Sequence, residues 1–230
     1  YIRESGGFLR IGAMTREVEL EDSELIQSNY PILLDTAKMI ADPQVRNLAT
    51  LGGNLAHGDP ANDHPATMLA LRAQVEITGQ GGKRTVPIDD FFPDFFTTVL
   101  EHGEILTEIQ IPIPPSNSGG TYLKIERKVG DYAVAAVAAQ VSLGADGTFQ
   151  QVGLGLTNVG PVPIRAVRSE DSLRGQRPDE ALYAQAGQLA SEDADPGDDL
   201  RGSADYKRSL IRELIKRALR RAVDHAQGRS

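Results

Sequence analysis

Three prolines and two glycines crowd into Pro112–Gly120 (PIPPSNSGG), and neither a helix nor a central strand can run through such a stretch. It divides the 230 residues into halves with different rhythms. Up to Pro115, short helix-like and strand-like patterns alternate. Beyond it, strand-like runs come first and helical ones last. Helices segregated from an antiparallel sheet are the mark of an α+β architecture. The expectation is a two-domain α+β chain, with domains at residues 1–115 and 116–230.

In the first half, a hairpin is expected over Tyr1–Gly12, turning at Ser5-Gly6-Gly7. Thr15 is placed to cap a short helix whose first turn holds Glu17 and Glu19. A second helix spans Pro31–Ile40. Pro65 suits the first turn of another, with Met68, Leu69 and Leu71 apolar. Gln74–Thr78 and Lys83–Pro87 form a hairpin around Gly79–Gly82, and Glu104–Ile111 alternates as a strand. In the second half, Thr121–Arg127, Val134–Leu143 and Phe149–Thr157 are strands. Asp179–Ala190 and Ala204–Gln227 are helices. On the long helix, Tyr206, Leu210, Leu214, Ala218 and Ala222 recur at helical spacing as a buried stripe. Ser191–Asp199 (SEDADPGDD) is an acidic loop.

Composition narrows the chemistry. The chain has no cysteine, so it can ligate no iron–sulfur cluster through thiolates, form no disulfide and offer no thiol nucleophile. Its net charge is −8 at neutral pH, against the basic footprint of a nucleic-acid binder. A basic helix carrying Lys207, Arg208, Arg212, Lys216, Arg217, Arg220 and Arg221 could contact nucleic acid, but such a face is ordinarily just solvated. No apolar run approaches a membrane span. Tyr1–Ile11 carries Arg3, Glu4 and Arg10 and has no apolar core segment, so no signal peptide is expected there, and a cytoplasmic setting is expected.

The most unusual stretch is Ala49–Pro65, ATLGGNLAHGDPANDHP. Adjacent glycines let a backbone turn tightly and approach a ligand, and N–H groups directed into such a turn form an anion-binding concavity. Thr50, Leu51, Gly52, Gly53 and Asn54 are therefore candidates to hold a pyrophosphate, with Gly52 and Gly53 in a close-approach turn rather than a helix. The motif is neither GxGxxG nor GxxxxGK[ST], and an ordinary turn is the alternative. His57, Asp59, Asp63 and His64 are possible metal ligands, but their spacing matches no ligand pattern, and a polar loop is the simpler account.

Asp42–Pro65 resembles the second flavin-binding segment of the medium subunits of molybdenum hydroxylases, the xanthine dehydrogenase and aerobic carbon monoxide dehydrogenase family. Three further segments match in the family's order: KIERKVGDYAVAAVAA from Lys124, LTNVGPVPIRA from Leu156, and LRGSADYK from Leu200. The resemblance covers nearly the whole chain. It implies an FAD-binding subdomain of the vanillyl-alcohol oxidase and p-cresol methylhydroxylase type, followed by a C-terminal antiparallel sheet with helices. Thr50, Leu51, Gly52, Gly53 and Asn54 fall where the family holds the FAD pyrophosphate. Ile40 falls near the adenine, Asp63 at an acidic cofactor contact, Leu106 and Lys124 at flavin contacts, and Tyr132 beside the isoalloxazine. From residue type alone, Ile40 and Leu106 suit a core, Lys124 a solvated strand and Tyr132 a half-buried surface.

The resemblance further implies an electron-transfer oxidoreductase subunit with no catalytic acid or base and no metal of its own. The molybdenum cofactor would lie in a large partner subunit and two [2Fe–2S] clusters in a small one, in a dimer of heterotrimers. The holoenzyme would be cytoplasmic, reaching the inner face of the membrane through partners. FAD here would pass electrons to an external acceptor. The family's earlier AGG-containing flavin segment has no counterpart, so this chain is expected to lack the first subdomain and to hold FAD poorly by itself. A non-catalytic scaffold of the same fold, without flavin, is the alternative.

Overall fold

The structure is a computed structural model that describes residues 1–229. Its first sheet is built from β1 (Ile2–Ser5), β2 (Phe8–Gly12), β3 (Gln74–Gly79), β4 (Gly82–Pro87) and β5 (Ile105–Pro112), in the order β1-β2-β5-β3-β4. All pairings are antiparallel. Gly6 and Gly7 both take positive φ, 61° and 81°, which gives a two-residue turn the twist that a hairpin needs. Leu9, Ile11, Val75, Ile77, Ile109 and Ile111 alternate inward and are fully buried.

Six helices follow β2 in the chain: α1 (Glu17–Asp22), α2 (Glu24–Asn29), α3 (Pro31–Met39), α4 (Pro43–Arg46), α5 (Leu51–His57) and α6 (His64–Ala70). Proline at the first or second position starts α3, α4 and α6, where its missing N–H costs nothing. The second sheet contains β6 (Ser118–Ile125), β7 (Ala135–Leu143), β8 (Phe149–Thr157) and the short β9 (Ile164–Arg165), antiparallel and in chain order. Helices α7 (Val167–Leu173), α8 (Glu180–Asp193) and α9 (Ala204–Ala226) complete the chain.

Strand β7 shows how the two parts share a core. Ala135, Val137, Ala139 and Val141 point into one apolar cluster with α9, while Ala136 and Ala138 point into the other, with the first sheet and its helices. Both faces of this strand are buried, which is why Ala135–Ala139 reads as an unbroken apolar run. The layers touch at backbone distance where glycine permits it. A Cβ on Gly153 would overlap the Ala70 carbonyl of α6, and one on Gly155 would overlap that of Ala66.

Some boundaries and faces differ from the sequence expectation. The cap of α1 is Arg16, not Thr15; Arg16 N donates to the Glu19 carboxylate (2.8 Å), and Thr15 is buried behind it. Helix α8 continues through Ser191–Asp193, because Arg168 neutralises Glu192 and Asp193 at its end (3.2 and 2.8 Å). The buried face of α9 begins at Lys207 and Ile211, whereas Tyr206 is 49% exposed and Leu210 only partly buried. Lys207 can turn inward because Asp199 pairs with its ammonium at 2.7 Å.

The glycine seam yields the first prediction. Gly155→Ala should destabilise the protein by about 2–3 kcal/mol, the range of an overpacked core position. Gly81→Ala, at a turn with open space around it, should change stability little. Denaturant melts of both variants check this; equal midpoints would show that the α6–β8 contact relaxes freely.

Candidate functional site

Helix α5 starts where Thr50 leaves helical geometry and its Oγ1 accepts a hydrogen bond from Gly53 N (3.1 Å). Leu51 N and Gly52 N donate to the carbonyls of Thr15 and Ala13, both at 2.9 Å. The two glycines are thus in the first turn of a helix, not in a turn with free N–H groups. Glycine is a poor helix former, but these N–H groups find tertiary acceptors that hold the turn in place. The requirement for close approach is met differently at each position. A Cβ on Gly52 would lie 2.5 Å from Ala13 Cβ and 2.7 Å from its carbonyl oxygen. At Gly53 it would meet only Thr50 Oγ1, at 2.8 Å. Gly52 seats the helix on the strand; Gly53 leaves its outer face bare.

That bare face opens on a cavity of about 390 Å³. Ile40, Gly53, Asn54, Asp63, Lys124 and Tyr132 all line it, drawn from three separate stretches of sequence. Thr50, Leu51, Gly52 and Leu106 do not. Thr50 is the cap of α5, Leu51 and Gly52 are buried beneath it, and Leu106 lies in the first core beside Ile77. The cavity wall also includes His57, one of the possible metal ligands, and Val45, Asn62 and Asp131, which the sequence did not single out.

The wall is held by unusual backbone. Ile40 ends α3, and Ala41 then takes a φ of 44°. Arg46 donates to the carbonyls of Ile40 (3.0 Å) and Ala41 (3.3 Å), fixing that bend. Gly130, at φ 80°, lies against it so closely that a Cβ would be 2.7 Å from the Ala41 carbonyl oxygen. This contact brings the loop between β6 and β7 over the cavity and delivers Asp131 and Tyr132. Tyr132 is 43% exposed, with the Arg201 guanidinium 5.5 Å from its ring centre. Beyond Tyr132 lies a second cavity of about 560 Å³, with Phe95, Phe96, Asp59 and Arg201 among its lining. Tyr132 is shared by both cavities.

The polar wall is a buried network. Tyr122 donates to Asp63 Oδ1 at 2.6 Å, and Lys124 donates to Asp63 Oδ2 and to the Met39 carbonyl, both at 3.0 Å. Burial pushes the Asp63 carboxyl above its usual range; the Lys124 charge and the Tyr122 hydroxyl oppose it. Burial and the neighbouring Asp63 charge push the Tyr122 phenol well above its ordinary value, so it remains a donor.

The other polar candidates part ways. His57 faces Phe96 edge-on and Asn62, Asp59 accepts from Ala61 N (2.8 Å), and His64 donates to Glu17 (2.7 Å). Among the described residues, no three potential ligands gather around a metal position. The basic face of α9 is largely spent on acids: Arg220 on Glu180, Arg221 on Asp35, Lys216 and Arg217 on Glu213. Among the described residues, no helix is long and apolar enough to cross a membrane.

One atom of the cavity wall bears directly on its occupant. Asn54 Oδ1 is sealed from solvent and has no hydrogen-bond partner, whereas its backbone carbonyl accepts from Asn62 (2.7 Å). An unpaired buried acceptor is costly, and a turn of the Asn54 side chain toward the cavity would let a ligand's hydroxyl or amide donor satisfy it. Apolar Ile40, bare Gly53, the Asn54 acceptor, charged Lys124 and aromatic Tyr132 together suit a long ligand with ring, polyol and anionic parts. FAD has all three.

Comparison with known proteins identifies the family. Residues 1–114 match the family described as the FAD binding domain in molybdopterin dehydrogenase, and residues 120–222 match the carbon monoxide dehydrogenase flavoprotein C-terminal domain. The chain is 41% identical to the carbon monoxide dehydrogenase medium chain of Hydrogenophaga pseudoflava, covering 96% of this chain and 77% of that one. It is 31% identical to the glyceraldehyde dehydrogenase medium chain of Sulfolobus acidocaldarius, over 96% and 78%. Among solved structures, reconstituted CO dehydrogenase from Oligotropha carboxidovorans superposes with a TM-score of 0.94 at 40% identity, over 97% of this chain and 78% of that one. Quinoline 2-oxidoreductase from Pseudomonas putida gives 0.90 at 34%, over 100% and 78%. This chain belongs to the FAD-binding medium subunits of the molybdenum hydroxylases, oxidoreductases of the carbon monoxide dehydrogenase and xanthine dehydrogenase type.

Proposed function

We propose that the cavity between α5, α6 and the β6–β7 loop holds FAD, and that the chain is the electron-transfer subunit of its holoenzyme. The observation that carries this is the convergence of Ile40, Gly53, Asn54, Asp63, Lys124 and Tyr132 on one cavity, with the unpartnered Asn54 oxygen in its wall. Ile40 supplies apolar cover, and Gly53 lets the ligand lie close to the backbone. Asn54 and Asp63 accept hydrogen bonds, Lys124 supplies positive charge, and Tyr132 covers an aromatic face. Thr50, Leu51 and Gly52 act from behind by fixing the first turn of α5, and Leu106 by packing β5 beneath it. When bound, the flavin supplies the redox chemistry, and the protein supplies position and electrostatics.

The electron donor would be the [2Fe–2S] clusters of a small partner subunit, since this chain has no cysteine to ligate one. The substrate would be oxidised at the molybdenum cofactor of a large subunit, and the acceptor would be external. A dimer of heterotrimers in the cytoplasm, reaching the inner membrane face through partners, is the corresponding assembly. Residues 1–115 would carry most of the flavin site and 116–230 would close it with Lys124 and Tyr132.

Two glycine variants in the intact complex separate ligand contact from folding. Gly53→Val should cut FAD affinity at least about a hundredfold while costing no more than about 1 kcal/mol of stability, the worth of the disturbed Thr50 cap. Gly52→Ala should instead lower stability by about 2 kcal/mol through its clash with Ala13. FAD titration of the deflavinated complex, with a thermal melt of each variant, reads both. Normal flavin affinity in Gly53→Val would remove the cavity from consideration.

Tyr132→Ala should shift the flavin midpoint potential and slow reoxidation by the external acceptor, leaving substrate turnover with an artificial acceptor at the molybdenum site unchanged. Spectroelectrochemistry and stopped-flow reoxidation measure these. Identical potentials and rates would place the flavin ring away from Tyr132.

A further inference from the structure

We infer that Tyr122, a residue outside the cavity wall, is a positioning residue for the flavin: its hydroxyl holds the Asp63 carboxylate as a fixed acceptor facing the cavity. The inference rests on the FAD reading above and adds to it a residue that makes no contact with the cofactor.

The geometry begins with what Asp63 does not do. It occupies the position that precedes α6, where an aspartate ordinarily accepts from the first free N–H groups of the helix. Asp63 makes no such cap; its backbone is helical and its side chain turns away toward β6. Tyr122 and Lys124 stand two apart on that strand and so present their side chains on one face. Each takes one carboxylate oxygen, Tyr122 at 2.6 Å and Lys124 at 3.0 Å. A carboxylate offers about four acceptor positions, so one donor per oxygen leaves capacity on both. Asp63 lines the cavity, and that remaining capacity is available to a ligand there.

The two donors are not equivalent. Lys124 is shared: it also donates to the Met39 carbonyl and lies 3.5 Å from Glu126. The Tyr122 hydroxyl has Asp63 as its one close partner; its other contact, Thr157 Oγ1, is at 3.5 Å. Tyr122 itself is buried, at 2% exposure. Its ring fixes the angle of the carboxylate, and Lys124 supplies the countercharge.

Asp63 faces Tyr122 and Lys124 of β6 and lies beside His64 of α6, which pairs with Glu17 of α1; Thr157 of β8 meets the Tyr122 hydroxyl, Glu126 meets the Lys124 ammonium, His57, Asp131 and Tyr132 line the same cavity, and Asp59 lines the second one. Burial favours the protonated acid, and the two donors favour the carboxylate. Removing the hydroxyl therefore moves the carboxyl further up. A group that protonates at higher pH loses its acceptor charge earlier on acidification. The affinity for FAD should follow it.

The test titrates FAD into the deflavinated intact complex across mildly acidic to mildly alkaline pH, for wild type, Asp63→Asn and Tyr122→Phe. Tyr122→Phe should bind FAD about tenfold more weakly at neutral pH, the effect of one lost hydrogen bond to a charged group. Its acid limb should lie at higher pH than that of the wild type. Asp63→Asn should bind weakly with no such limb. If Asp63→Asn binds like the wild type, the assignment of this wall to FAD fails. If Asp63→Asn weakens binding but Tyr122→Phe keeps wild-type affinity and pH profile, Tyr122 is only a core residue and the inference falls. Should Tyr122→Phe not assemble, 3-fluorotyrosine at position 122, a more acidic donor of nearly the same shape, takes its place. It should move the acid limb to lower pH, and an unmoved limb would overturn the inference.

Discussion

The whole arrangement depends on one short helix laid flat against a strand. Every residue of α6, from His64 to Ala70, is buried. It can be so because Gly153 and Gly155 of β8 carry no side chain beneath the carbonyls of Ala70 and Ala66. The spacings agree: four helical residues rise about 6 Å, and two strand residues advance about 6.6 Å. Two alanines one turn apart can therefore meet two glycines on one face of the strand. The rest of α6 is tied on other sides. His64 reaches Glu17 at 2.7 Å, and Thr67 reaches Thr36 at 2.7 Å. With the helix fixed in this way, the position of Asp63 just before it is fixed as well, and with it the polar wall of the cavity.

Much of this architecture is written in local pattern. Strand alternation in β2, β3 and β5, the paired turn glycines, and Pro65 at the head of α6 all express constraints that act over a few residues. The second sheet is equally plain, because β7 is buried on both faces and so is apolar except at Gln140 and Ser142. Where local pattern misleads, a distant partner is responsible. Gly52 and Gly53 read as a turn because glycine disfavours helix. They are helical because Thr15 and Ala13, some forty residues earlier, accept the N–H groups of Leu51 and of Gly52 itself. Lys207 reads as solvated and Tyr206 as core, yet Asp199 draws the lysine inward and leaves the tyrosine outside. Ser191–Asp193 reads as acidic loop, and Arg168 lets it finish a helix.

The candidate site follows the same division. Ile40, Gly53, Asn54, Asp63, Lys124 and Tyr132 were accessible through the resemblance of ordered motifs to a family, and their convergence is a tertiary fact. Tyr122 carries no sequence signal at all. A tyrosine alternating with apolar residues on a strand is an ordinary core residue, and its partner is 59 positions away. Asn62 and Asp131 are hidden in the same manner. A glycine such as Gly130 is the nearest thing to a signal, since its positive φ and its fit against Ala41 bring the β6–β7 loop over the cavity.

The Asp63–Lys124 pair raises a question of energy rather than of position. Both side chains are almost fully enclosed, at 8% and 1% exposure. Removing two charges from water costs several kcal/mol per ion, and their attraction repays this only with good geometry and further hydrogen bonds. Here Tyr122 and the Met39 carbonyl provide those bonds, so the pair is tolerated rather than strongly stabilising. Apolar residues of the same volume would fill the space between α6 and β6 at no greater cost. Stability alone therefore gives no reason to place a carboxylate and an ammonium there. Their position in the wall of a cavity does: a desolvated charge acts on a ligand through a weak local dielectric, where each interaction counts for more than it would in water. The desolvation that makes the pair a poor contributor to folding is what would make it an effective part of the proposed binding site.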